Sequence, residues 1–191
     1  MTNLRREING YLRQHHVCSD DMIILSLFLP LSLLLTAELI MSLEWRMEHD
    51  FPLLHYVAFL IDHYNYIPYK DIFETSMPGT FVFHLGIGKC FGYGDLAFRI
   101  VDITWFLTLL VVTWAIVKHF GRRVAWATVV LFGLTYFQHG PEMSLQRDYV
   151  GILPISMAIL LAISQFPSKL SIRTFLIGIF FCSITVAVYH R

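Results

Sequence analysis

The chain has 191 residues, of which 56% are hydrophobic, 15% aromatic and only 15% charged, a balance outside that of water-soluble domains. Fourteen Lys and Arg offset fourteen Asp and Glu for a formal net charge of zero, so there is no basic surplus with which to bind nucleic acid. Three cysteines, Cys18, Cys90 and Cys182, match neither a disulfide framework nor metal-knuckle spacing and leave the redox compartment unread.

A polar N-terminus with Arg5, Arg6 and Arg13 precedes an apolar run over 22–43. That run is long enough to span a bilayer and too long for a signal-peptide core. Further spans are predicted over 96–117, 124–138, 149–166 and 174–189. The apolar stretch 79–91 is shorter: roughly 13 residues rising about 1.5 Å each cover about 20 Å of a roughly 30 Å hydrocarbon core.

Charge placement supports leaving 79–91 out of the count of spans. The basic groups at the N-terminus, at Lys118, Arg122 and Arg123, and at Lys169 and Arg173 then all face the cytoplasm, with eight basic and three acidic residues between them. Counting 79–91 as a span would move two of these groups outside, against the positive-inside rule. The expected architecture is all-α and polytopic, one membrane domain of five spans. Its N-terminus (1–21) is cytoplasmic, and its outer segments are 44–95 and 139–148.

Seven of the fourteen acidic residues fall in the first outer segment: Glu44, Glu48, Asp50, Asp62, Asp71, Glu74 and Asp95. A loop of about fifty residues exceeds what a connector needs. Asp50 before Phe51-Pro52 reads as a helix N-cap. In the helix that follows, Leu53, Val57, Leu60 and Tyr64 form an apolar stripe, with His55 and Asp62 opposite. Pro68 and Pro78-Gly79 bound an irregular stretch carrying Lys70, Asp71 and Glu74, and 79–91 reads as a second interfacial helix.

The ordered motifs Glu48-His49-Asp50-Phe51-Pro52, Tyr56, Ile67-Pro68-Tyr69-Lys70-Asp71-Ile72-Phe73-Glu74 and Met77-Pro78-Gly79-Thr80-Phe81 resemble the first outer loop of GT-C type membrane glycosyltransferases. The subgroup concerned includes protein O-mannosyltransferases, aminoarabinose transferases and lipopolysaccharide-core sugar transferases. Phe91-Gly92, Arg99, Phe120-Gly121-Arg122-Arg123 and Arg147-Asp148 extend the resemblance over most of the chain. It implies the amino-terminal part of a GT-C fold and transfer of a sugar from a polyprenyl-phosphate donor to a lipid, glycan or protein acceptor at the outer face of the cell envelope. It also implies a catalytic role for Asp50, and for Glu74 and Asp148 a place at the site or on a divalent metal cation. Phe51 stands where many members have a second acid, and Met77-Pro78 replaces Pro-Pro, so Asp50 and Glu48 both remain candidates for the base. Because the family usually has more spans, the resemblance also implies a chain that continues or is truncated.

The residue types suit that chemistry in their own right. A carboxylate can accept the acceptor hydroxyl proton, and a cation can hold the departing phosphate. Asp50 or Glu48 serves the first role; Lys70 with Arg147, or a metal on Glu74 and Asp148, serves the second. The structural alternatives are a cap for Asp50, a solvated loop acid for Glu74 and an interfacial ion pair for Arg147-Asp148. Arg99 and Asp102, three apart, read as a structural pair, and Glu38 as a snorkelling acid. The outer histidines His49, His55, His63, His84 and His139 lack zinc-site spacing, and Gly133 and Gly178 read as close-packing positions. A non-catalytic membrane subunit that binds a lipid carrier or partner is the competing class. A transporter is disfavoured because the ionisable residues avoid the predicted midplane.

Overall fold

The computed structural model describes residues 26–165 and 172–189; the N-terminal basic group with Cys18, and Lys169 with the loop around it, lie outside these. Among the described residues the regular structure is helical, joined by non-helical segments over 45–48 and 65–77, and the only strand-like feature is an isolated bridge between Pro68 and Ile72. Seven helices follow in order: α1 (Ser26–Glu44), α2 (Asp50–Tyr64), α3 (Pro78–Phe91), α4 (Asp95–Val117), α5 (Arg122–Gln138), α6 (Arg147–Gln165) and α7 (Ile172–Tyr189).

Among the described residues, three segments are long and apolar enough to cross a membrane: Ser26–Glu44, Asp95–Phe120 and Arg147–Ser164. Their outward faces are apolar, with Leu33, Val111 and Ile159 among the exposed side chains, as a hydrocarbon surrounding favours. The predicted spans over 124–138 and 174–189 are helices too, but shorter in their apolar content. Helix α5 has 17 residues, about 25 Å at 1.5 Å per residue, and the apolar part of α7 is Leu176–Ala187.

The principal core lies where α4, α5 and α6 meet, around Phe106, Leu109, Val112, Tyr136, Phe137, Tyr149 and Leu153. Gly133 lets the bundle close: a Cβ there would stand 2.7 Å from a Leu35 methyl, so α1 packs against this position. A second cluster joins the loop helices to the bundle through Phe51, Ile87, Phe98, Leu145 and Val150. Phe51 is its pivot, with ring centroids 4.6 Å from both Phe98 and His84.

That packing corrects the predicted faces of α2. Leu53 and Tyr64 of the predicted apolar stripe are exposed, whereas Phe51, Leu54, His55, Val57 and Ala58 are packed inside. The aromatic weight of Phe51 turns the helix so that His55, expected on the polar side, goes in with it. Helix α2 ends at Asn65 in the left-handed conformation (φ 55°), a C-cap geometry that asparagine tolerates. Helix α3 begins at Pro78 after an extended Met77, as the residue before a proline prefers. Gly79 is required there, since a Cβ would fall 2.6 Å from the Ala187 carbonyl oxygen of α7.

Candidate functional site

Asp50 opens α2 but does not cap it. The N-cap is His49, held at φ 57°, and no side chain bonds to the first-turn amides. The Asp50 carboxylate instead faces the first residue of α6: Arg147 donates from Nη2 to Asp50 Oδ2 at 2.9 Å. His49 Nδ1 lies 3.4 Å from the other carboxylate oxygen. A carboxylate with a guanidinium across the cleft gains more from that charge-assisted bond than from a neutral amide cap.

The same guanidinium reaches into the proline-bounded turn. Arg147 Nη1 donates to Ser76 Oγ at 3.3 Å, and Ser76 Oγ donates to Glu74 Oε1 at 2.9 Å. Glu74 Oε1 also accepts the backbone N–H groups of Thr75 and Ser76, at 3.0 and 3.1 Å. The turn itself is held by Ile67 N–H donating to Asp71 Oδ2 at 2.9 Å and by the Tyr69 hydroxyl donating to the Ser76 carbonyl at 2.5 Å. Asp50, Arg147, Ser76 and Glu74 therefore form one continuous polar chain from three segments far apart in sequence.

The other candidates stand aside from that chain. Glu48 is exposed ahead of His49, Lys70 is exposed on the turn Tyr69–Asp71, and Asp148 is exposed in the first turn of α6. Among the described residues no group of three or more His, Cys, Asp or Glu side chains is arranged to hold a metal ion. Glu74 Oε1 accepts three hydrogen bonds, from Thr75 N–H, Ser76 N–H and Ser76 Oγ. Sequence reasoning missed Ser76, which is buried and bridges cation to acid. Its one sequence signal is its place just before Met77-Pro78.

Behind Arg147 two imidazoles lie buried, His84 on α3 and His55 on α2, with ring centroids 5.7 Å apart. Burial pushes the His84 pKa down to about 3, helped by the charges of His55 and Arg147. His55 is lowered as well, chiefly by burial. Both are neutral near pH 7, so Arg147 is the cation of this region.

A separate polar cluster lies at the loop end of α4. Arg99 donates to Asp102 and to Ser42 Oγ at the end of α1, and its guanidinium sits 4.9 Å from the Trp45 ring centroid. Asp102 also accepts from the Tyr136 hydroxyl at 2.7 Å. The predicted Arg99–Asp102 pairing is thus present, fully buried, and it ties α1, α4 and α5 together. Its role is structural, because both charges are consumed internally.

No protein family, curated protein or solved structure matches this chain.

Proposed function

We propose that the protein is a membrane glycosyltransferase of GT-C type that moves a sugar from a polyprenyl-phosphate donor to an acceptor at the outer membrane face. The reading includes five spans, with α5 and α7 crossing beside the three longer ones, a cytoplasmic N-terminus and α2 and α3 lying at the outer interface. It rests on the resemblance of the loop motifs and on one observation above all, the Asp50–Arg147 bond at 2.9 Å. That bond pairs a proton-accepting group with a phosphate-binding group at the end of an apolar bundle.

In this reading the donor phosphate takes Arg147 as its partner, in the forked geometry that guanidinium offers to phosphate oxygens. Asp50 is then released from its ion pair to accept the acceptor hydroxyl proton. The acceptor oxygen forms its bond to the anomeric carbon while the carbon–oxygen bond to phosphate breaks, and the electron pair leaves on polyprenyl phosphate. Ser76 and Glu74 hold the guanidinium in place, and Glu48 and Lys70 line the approach.

The test is release of polyprenyl phosphate from labelled polyprenyl-phosphate sugars by the protein in lipid nanodiscs. Transfer by the wild-type chain that Asp50→Asn and Arg147→Gln each abolish supports the proposal. Absence of release from every donor sugar, or unchanged release in both variants, overturns it. The closed ion pair also suits a binding component without turnover; saturable retention of polyprenyl phosphate with no sugar transfer would establish that second reading.

A further inference from the structure

On the other side of α2 from Asp50 lies a cavity of about 500 Å³ lined by Arg46, Met47, Pro52, His55, Tyr56, Phe59, Tyr93 and Asp95. At 3.6 residues per turn, the lining positions 52, 55, 56 and 59 are centred roughly half a turn around the helix from position 50. The cavity is therefore distinct from the Asp50–Arg147 cleft, and its size is that of a small-molecule site, roughly 300–1,000 Å³.

Its walls are built rather than incidental. Phe59 and Tyr93 meet edge to face, with centroids 5.3 Å apart at 81°, and His55 lies 4.9 Å from Tyr93. The Tyr93 ring lies hard against α3, where a Cβ on Gly88 would come within 2.1 Å of it, so only glycine admits the ring. The Tyr93 hydroxyl donates to Asp62 at 3.2 Å, and burial, reinforced by that contact, pushes its pKa up to about 12. His55 is 3% exposed with both ring nitrogens buried, and the Gly92 backbone lies close enough to offset part of the effect of burial on its pKa.

We propose that this pocket holds a neutral pyranose ring. Its two formal charges, Arg46 and Asp95, are opposite and cancel, which favours an uncharged ligand over a phosphate or a quaternary ammonium. One supplies donors and the other acceptors, the complement of a ring bearing several hydroxyls. His55 contributes to the wall through its ring, packed 4.9 Å from that of Tyr93. The aromatic walls offer apolar faces to the C–H face of such a ring. An acyl chain offers Arg46 and Asp95 no hydrogen-bonding group, whereas a pyranose does.

The inference goes beyond glycosyl transfer and does not require it. Saturation-transfer-difference NMR on the full chain in nanodiscs, with methyl glycosides of mannose, glucose and N-acetylglucosamine as probes, should show transfer to ring C–H protons for at least one of them. Tyr56 and Arg46 are both exposed, so Tyr56→Ala and Arg46→Gln change the pocket without touching the core. Each should weaken that binding about tenfold or more. Arg147→Gln, which should stop sugar transfer, should leave it unchanged, so the two proposals can fail separately. No saturation transfer to any glycoside overturns the assignment, as does transfer insensitive to both pocket variants. Displacement of the glycoside by phosphocholine would assign the pocket to a lipid headgroup and overturn it equally.

Discussion

Arg147 reaches Asp50 across 97 positions of sequence, donating at 2.9 Å from the first residue of α6 to the first residue of α2. The two side chains are 20% and 44% exposed, so the pair is accessible and can be opened by a competing anion without the cost of stranding a buried charge. If the pair works as proposed, Asp50→Asn should lower transfer by about two or more orders of magnitude, the scale of a lost general base. It should do so with little loss of thermal stability, because a half-exposed ion pair contributes about 0–1 kcal/mol. Arg147→Lys should keep only part of the activity that Arg147→Gln loses, since an ammonium cannot reproduce the guanidinium fork. Steady-state rates of polyprenyl phosphate release, with melting curves of the same samples, check both expectations.

Metal dependence separates two ways of holding the donor phosphate. With Arg147 as the cation and the Glu74 Oε1 oxygen engaged by Thr75 and Ser76, transfer should persist in EDTA at concentrations that strip divalent cations. A loss of activity on chelation, restored by Mg²⁺ or Mn²⁺, would return Glu74 and Asp148 to the role of metal ligands.

The Arg99–Asp102 cluster makes the opposite prediction for stability. Both side chains are buried, so Asp102→Ala leaves an uncompensated guanidinium and should cost about 3–5 kcal/mol, whereas removing both charges together in Arg99→Met/Asp102→Leu should cost less than either change alone. Thermal unfolding of detergent-solubilised single and double variants measures the coupling. This pair was legible in the sequence because a three-residue spacing on a helix fixes a contact locally. Its other partners, Ser42, Trp45 and Tyr136, were not, since they come from separate helices whose meeting depends on how the bundle packs. The Asp50–Ser76–Arg147 junction escaped sequence reading for the same reason, although its charged members could be singled out by type. Helix positions could be read to within about two residues because proline, glycine and apolar length mark them. The burial of His55 could not be read, because it follows from Phe51 packing between Phe98 and His84, residues of other helices.

The buried histidines tie the fold to pH. In the unfolded chain a histidine protonates near 6.5, whereas folded His84 does so only near 3 and folded His55 below its ordinary value. Between those limits the unfolded state binds more protons, so stability rises with pH and is lost as pH falls from about 6.5 toward 3. The slope is at most ~1.4 kcal/mol per pH unit for each histidine. Melting temperatures recorded from pH 7.5 to 4.5 should fall accordingly. His84→Leu, which keeps an apolar side chain beside Phe51 and removes one titrating group, should flatten the decline. An equal slope in that variant would show that the acid sensitivity comes from elsewhere.

Membrane sidedness follows from the same junction. Residues 50, 76 and 147 are bonded to one another, so α2, the proline-bounded turn and the start of α6 open to one compartment. Helix α4 is 23 residues long, about 34 Å at 1.5 Å per residue, long enough to put Lys118, beyond its far end, on the opposite side of a bilayer. In a chain with its native cysteines replaced, Glu74→Cys and Asp148→Cys should react with an impermeant maleimide added outside intact cells. Lys118→Cys should react only after the membrane is opened if the proposed topology, with Lys118, Arg122 and Arg123 on the cytoplasmic side, holds. Labelling of positions 74 and 148 from opposite sides would be incompatible with the Arg147–Ser76 contact itself, and labelling of 74, 118 and 148 all from outside would remove α4 from the list of spans.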